Sequence, residues 1–180
     1  FVFCIGDISG KGIAAALVMA NLQAYLNATL GLNFSKEKLI EKLNKKIYSI
    51  TNGENFITLF IAKYNIVKRE LLYLNAGHVP PILLHQNKIE LLEKGTTMLG
   101  IFEELPKMEF GKINIQPDTT IVSFTDGISE LEDEKGLQFG VDRLIEFSKQ
   151  NHRLSPEIFN KMLYDYISKY KGNVLFNDDI

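Results

Sequence analysis

Cysteine is almost absent from this chain of 180 residues: Cys4 is the only one, so no internal disulfide can form. A lone thiol in the apolar run 1–5 is expected to be a small buried hydrophobe rather than a nucleophile. Thiol chemistry at phosphate would also need an arginine soon after the cysteine, and none occurs before Arg69. Charge of one sign is lacking too. Twenty Lys and Arg stand against 22 Asp and Glu, a net charge of -2, which excludes the basic footprint of a nucleic-acid binder. No apolar run approaches the ~20 residues of a membrane-spanning helix. The best, residues 12–20, stops at Asn21, so no membrane contact is expected from this segment. No charged leader with a cleavage site is visible. Repeats, low-complexity tracts and linkers are missing as well. With 46% hydrophobic and 23% charged residues, the remaining reading is one ordinary globular domain over 1–180. The first residue is Phe rather than Met, so a fragment or processed product of a longer chain is expected.

Periodicity then divides the chain. Residues 1–5 read as a buried strand bounded by Gly6-Asp7, followed by a turn at Ser9-Gly10-Lys11-Gly12. Ala14 to about Leu30 is rich in Ala, Leu and Met and reads as a helix stopped by Gly31. Ser35 is a good N-cap for a second helix, with Phe34 and Leu39 at the spacing of a hydrophobic staple. Leu39, Leu43, Ile47 and Ile50 mark its apolar face, and Asn52-Gly53 ends it. From Phe56 the pattern turns to strands. Residues 56–66 and 70–75 form a hairpin around Lys68-Arg69, and 82–85 with 88–92 form another around Gln86-Asn87. Residues 93–106 read as a loop. Residues 108–115 and 119–125 read as a third strand pair, turned at Pro117-Asp118. Two helices follow at about 141–150 and 156–170, the second with Ser155 as N-cap and Pro156 at its first position. Strands and helices are segregated, which predicts an α+β fold with mostly antiparallel sheet.

Two glycine motifs fail on spacing or context. Gly6 to Lys11 lies where a P-loop would lie, but only three residues separate Gly6 from Gly10, and Gly12 follows the lysine where Ser or Thr is needed. Gly10-Lys11-Gly12-Ile13-Ala14-Ala15 fits G-x-G-x-x-A, yet the chain enters a second helix where a dinucleotide fold needs a strand ending in an acidic residue. Glycines that permit a tight turn account for both. A nucleotide-binding switch, the weakest functional reading, would be revived by micromolar binding of ATP or NAD.

Three acidic positions share one local form. Apolar β-runs end at Asp7 and at Asp126, and Asp178 stands near the C-terminus. Each alone reads as a turn or cap residue. Together they suit hard divalent cations, which favour carboxylate and carbonyl oxygens and remove the repulsion between gathered carboxylates. Spacing leaves both readings open.

A run of motifs bears on the choice. Residues 7–20, from Asp7-Ile8-Ser9-Gly10-Lys11-Gly12 through Ala14-Ala15-Ala16-Leu17-Val18-Met19-Ala20, resemble the D-V-S-G-[HK]-G-x-x-A-A-L-x-M-A block of SpoIIE/RsbU-type phosphatases of the PPM superfamily of metal-dependent protein phosphatases. Phe56-Ile57-Thr58-Leu59 is similar to F-x-T-L, Asn75-Ala76-Gly77-His78-Val79-Pro80-Pro81 to N-A-G-H-x-P-P, and Leu99-Gly100 to the L-G loop. Thr125-Asp126-Gly127-Ile128-Ser129-Glu130 resembles T-D-G-[VI]-[ST]-E, Phe139-Gly140 follows, and Asp178-Asp179-Ile180 looks like the start of D-D-[IM]-T. The blocks span the chain in the family's order.

The resemblance implies a four-layer α-β-β-α sandwich and hydrolysis of phosphoserine or phosphothreonine on a protein by a metal-activated water, with two Mn or Mg ions. Asp7 would bridge both ions, the Ile8 carbonyl would serve the second, and Asp126 and Asp178 would hold the first. Asp179 would be supporting, and Glu130 is a candidate for a weak third ion. His78 is either a ligand or general acid, or a turn-fixing residue whose ring bonds backbone; the latter is favoured. Lys11 either draws the substrate phosphate toward the metals or is solvated. The implied partners are a phosphorylated protein, of which an anti-sigma-factor antagonist is one kind, and an upstream sensor or regulatory domain. The implied place is the cytoplasm, as a free protein or as the output domain of a membrane-anchored sensor.

The match departs from the family at its ends. A G-G-D block carrying another metal-binding Asp belongs upstream of Asp7, and a strand belongs after Asp178-Asp179-Ile180. The segment is therefore expected to lack its N-terminal strands and last strand, with the second metal site incomplete and the isolated piece nearly inactive. The competing reading is a catalytically inactive module of the same fold that only binds partners; keeping Asp7, Asp126 and Asp178 argues against it.

Overall fold

The computed structural model describes residues 1–29, 35–86, 88–176 and 178–180. The expected stop at Gly31, the Phe34 half of the staple, and Asn87 of the second hairpin turn lie outside the described residues. The expected α+β class is what forms. The chain divides into two compact units, one of residues 1–78 with 93–113, the other of 79–92 with 114–180.

The first unit is a sheet covered by two helices. Strand β1 (Val2–Ile8) pairs antiparallel with β2 (Ile57–Asn65), and β2 pairs antiparallel with β3 (Glu70–Ala76). The hairpin around Lys68-Arg69 forms as expected, with Arg69 at φ 51° in the turn. β1 differs from expectation in its end: it runs through Gly6 and Asp7 to Ile8, because Asp7 and Ile8 stay in register with Thr58 and Ile57. Alternation then separates two faces. Ile8, Ile57, Leu59, Ile61 and Leu74 form a core with Val18, Leu22 and Leu26 of helix α1 (Ile13–Thr29) and Ile40, Leu43 and Ile47 of helix α2 (Lys36–Thr51). Each such side chain contributes roughly 1.5–3 kcal/mol on burial. The opposite face carries Asp7, Thr58, Phe60, Asn75 and Tyr73.

Three expectations are corrected here. The buried stripe of α2 is Ile40, Leu43, Asn44 and Ile47, while Leu39 is half-buried and Ile50 is exposed. Cys4 lies in a strand as expected but is exposed rather than buried, because β1 has a described neighbour on one side only. The segment 93–106 is not all loop. Gly95–Thr96 forms β6, parallel to β3 at Asn75 and Ala76. Glycine is required there, since a Cβ on Gly95 would stand 1.6 Å from the Asn75 carbonyl oxygen.

The second unit is a smaller sheet with its own helices. β4 (Ile82–His85) pairs antiparallel with β5 (Lys88–Leu91) on one side and with β8 (Thr120–Val122) on the other. The expected hairpin between 108–115 and 119–125 does not form. Strand β7 (Gly111–Asn114) joins β3 in the first sheet, while β8 joins β4 in the second. The turn at Pro117-Asp118 is present, with Asp118 at φ 60°, but it hands the chain from one sheet to the other. A four-residue helix α3 (Asp126–Ser129) follows, then α4 (Gly140–Asn151) and α5 (Pro156–Lys171). Ile82, Leu84, Val122, Phe124, Phe139, Leu144, Phe147, Phe159 and Leu163 make the core of this unit. Phe147 meets Phe159 edge-on and stacks on Tyr166. Among the described residues, no helix is long and apolar enough to cross a membrane.

Candidate functional site

Asp7 belongs to the first unit. Its strand position faces Thr58 directly across the β1–β2 ladder, and its Oδ1 accepts the amide of Ile8 at 2.8 Å. Beyond Ile8 the chain leaves the sheet: the amide of Ser9 donates to the carbonyl of Phe56 at 2.9 Å, and the Ser9 hydroxyl accepts the amide of Phe56 at 2.8 Å. This double tie anchors the loop that carries Gly10, Lys11 and Gly12 into α1. Lys11 is exposed on that loop.

Behind Asp7 lies an arrangement the sequence did not disclose. Thr58 Oγ1 and His78 Nδ1 share a hydrogen bond of 2.9 Å. His78 is 5% exposed, and Asn75 clamps its main chain from both sides: the His78 amide donates to Asn75 Oδ1 at 2.7 Å, and Asn75 Nδ2 donates to the His78 carbonyl at 2.9 Å. The ring was expected to bond backbone; its Nδ1 meets the Thr58 hydroxyl. The clue available in the sequence was that Thr58, Asn75 and His78 all sit in family-like blocks; what it could not supply was their cross-strand meeting.

Asp126 and Asp178 belong to the second unit. Asp126 was expected at the end of a strand, but β8 stops at Val122 and Asp126 instead opens α3. Its carbonyl accepts the amide of Glu130 at 2.8 Å. Gly127 is buried, and a Cβ there would stand 2.3 Å from the Asp179 carbonyl oxygen and 3.4 Å from Cβ of Asp178. The chain's last residues therefore rest on the residue next to Asp126, and the absence of a side chain at Gly127 is what admits them. Thr125 Oγ1 donates to the same Asp179 carbonyl at 2.7 Å, and Asp178 Oδ1 accepts the amide of Asp179 at 2.9 Å. Thr125 and Gly127 thus seat the tail, a role invisible until the tertiary contacts are seen. Asp178 and Glu130 line one pocket of about 220 Å³, together with Glu132, Gln138 and Leu175.

The structure therefore brings Asp178 against the Asp126 loop, and brings Glu130 to the same pocket wall. Asp7 and Ile8 stand in the first unit with Lys11. Among the described residues, no group of three or more His, Cys, Asp or Glu side chains is gathered so as to hold a metal ion. Within the second unit the donor type fits a hard divalent cation: acidic residues from two separate segments, Asp126 at the start of α3 and Asp178 in the tail seated on Gly127.

Comparison with known proteins adds the following. The family model of Stage II sporulation protein E (SpoIIE) matches residues 1–180. Phosphoserine phosphatase RsbU of Bacillus subtilis is 28% identical over 176 residues, 97% of this chain and 52% of that protein. The chain thus spans about half the length of that curated relative. Among solved structures, the SiaA-PP2C domain of Pseudomonas aeruginosa superposes with a TM-score of 0.81 at 15% identity, covering 99% of this chain and 72% of that one. RsbX, solved in complex with magnesium, superposes with a TM-score of 0.69 at 16% identity, over 95% of this chain and 74% of that one. The fold is that of PP2C domains.

Proposed function

The chain belongs to the SpoIIE family, and on that premise we propose that it is the catalytic segment of a metal-dependent protein serine/threonine phosphatase. The observation that carries the reading is the seating of the tail, which sets Asp178 on the residue beside Asp126 although 52 positions separate the two in sequence. Two acidic residues set side by side in this way suit a divalent cation.

In this proposal two Mn or Mg ions are held by Asp7, the carbonyl of Ile8, Asp126 and Asp178. When bound, such ions acidify a coordinated water and neutralise charge on a phosphoryl group. The chain's own part is to hold and orient. Asp126 and Asp178 present oxygens from a helix start and from a tail pinned by Thr125. Asp7 is fixed along the strand by its bond to the Ile8 amide, with the Thr58–His78 pair beside it in the sheet. Lys11, on an exposed loop between β1 and α1, offers an ammonium to the phosphate of an arriving substrate. No side chain is needed as a nucleophile, which suits a chain whose single cysteine is exposed at a strand with its pKa raised by desolvation. A thiol of raised pKa carries little thiolate.

The substrate is a phosphoserine or phosphothreonine protein. RsbU, named a phosphoserine phosphatase and matched over 97% of this chain, supports a phosphoserine substrate. In this proposal the role is in signalling, the substrate is an anti-sigma-factor antagonist, and a regulatory segment outside this chain supplies the control. The test is turnover of a phosphoserine protein by the full-length enzyme in Mn²⁺. Asp126→Asn is expected to lower kcat by more than ~tenfold, about 1.4 kcal/mol of transition-state stabilisation. A variant as active as the parent, with an unchanged circular dichroism spectrum, would refute the assignment. Absence of turnover by the parent itself would favour the partner-binding module.

A further inference from the structure

Helix α5 leaves an apolar ridge open to solvent. Ile158, Met162 and Tyr166 recur every fourth residue and are 52%, 42% and 40% exposed, although Phe159, Leu163 and Ile167 on the other side of the helix are buried. The ridge is bordered by a second row at the same spacing: Glu157, Lys161, Asp165 and Lys169, all exposed. Rows at i±4 are the ridges that interdigitate when two helices pack. Among the described residues, none of these four charges makes an ion pair within the chain.

The order of signs along the charged row distinguishes the ways in which a second copy could cover the ridge. It reads minus, plus, minus, plus. If two copies of α5 lay parallel about a two-fold axis, the charged rows of the two copies would lie on opposite sides of the seam and would not meet. If they lay antiparallel about an axis near Leu163, Glu157 of one copy would face Lys169 of the other, and Lys161 would face Asp165. Every meeting is then attractive, and symmetry makes each of them twice. The apolar row follows the same operation within one residue, with Met162 beside Met162 and Ile158 beside Tyr166. A surface that is complementary to itself under a two-fold axis is an isologous interface, which closes at two copies.

We propose that α5 is a self-association surface, pairing antiparallel with α5 of a second copy of this chain. The inference stands apart from the phosphatase reading, since it uses none of the residues assigned to the metals. The central pair of charges sets the register and orientation, while Met162 and its neighbours exclude water at the middle.

The experiment is mild oxidation of the full-length protein carrying Met162→Cys. A covalent dimer is expected well beyond the level given by the unmodified protein or by Asp142→Cys, an exposed control position on α4. Lys161→Glu in the Met162→Cys background sets glutamate against Asp165 of the other copy, and the dimer yield is expected to fall ~tenfold. Adding Asp165→Lys reverses the pair and is expected to restore it. Neither position is buried, so folding does not stand in the way of the reading. No excess dimer from Met162→Cys would overturn the proposal. So would a yield indifferent to Lys161→Glu, or one that the double reversal fails to recover.

Discussion

Asn44 is 1% exposed on α2, and its side-chain amide is fully engaged by one loop. Oδ1 accepts the amide of Gly100 at 2.8 Å, and Nδ2 donates to the carbonyls of Phe102 and Glu103 at 2.9 and 3.1 Å. Replacing it by alanine strands a buried donor at Gly100, while the two carbonyls lie by exposed residues and regain water. Asn44→Ala is therefore expected to destabilise the protein by about 1–3 kcal/mol. Urea unfolding of the pair checks it, and equal midpoints would contradict it. The same residue explains why the sequence pointed to a neighbouring stripe of α2. A helical-period reading admits only apolar positions, so it chose Leu39 and Ile50 and passed over an asparagine whose partners lie more than fifty residues away. At the candidate site the case is similar. Asp7 and Asp126 stand out as candidates because each adjoins a glycine in a short block, and Asp178 because it opens the Asp178-Asp179-Ile180 block. Thr125, Gly127 and the Thr58–His78–Asn75 network do not, because their roles exist only across long sequence separations.

Elements were legible where their contacts are local. Ser155 with Pro156 marks the start of α5, and its hydroxyl accepts the amide of Ile158 at 3.4 Å. The hairpins β2–β3 and β4–β5 follow from turn chemistry between neighbouring strands. Pairing of β7 and β8 did not follow, since a turn at Pro117-Asp118 fixes a change of direction but not the partner on either side. A short element elsewhere invites a test. Between Leu131 and Gln138 the chain folds back on itself, and Asp133 Oδ1 accepts the amides of Leu137 and Lys135, both at 2.9 Å. These bonds, that from Leu137 first, hold the Asp133 carboxyl below the usual aspartate range. A carboxyl depressed in the folded state stabilises it above the unfolded value, about 3.9. That contribution is lost as pH falls through the lower folded value. Asp133→Ala is expected to be less stable than the parent at neutral pH, with the gap narrowing on acidification below about pH 4. Thermal melts across pH 2.5–7 read it out, roughly the span in which an aspartate titrates. A gap that stays constant, or widens toward acid, would contradict the assignment.

At the scale of the whole molecule, the family blocks keep one order from Asp7 to Ile180, and the family match covers the same 180 residues. The architecture is one on which many activities can be hung, so the functional claim rests on chemistry at named positions rather than on the fold. That claim is that carboxylates from the first strand, the start of α3 and the chain's final residues bind common divalent cations. Anomalous diffraction from crystals of the full-length protein grown with Mn²⁺ tests it most directly. The account predicts a manganese peak in coordination contact with oxygens of Asp7, Asp126 and Asp178. A saturated crystal with no peak there, or with manganese bound only to other residues, would contradict it.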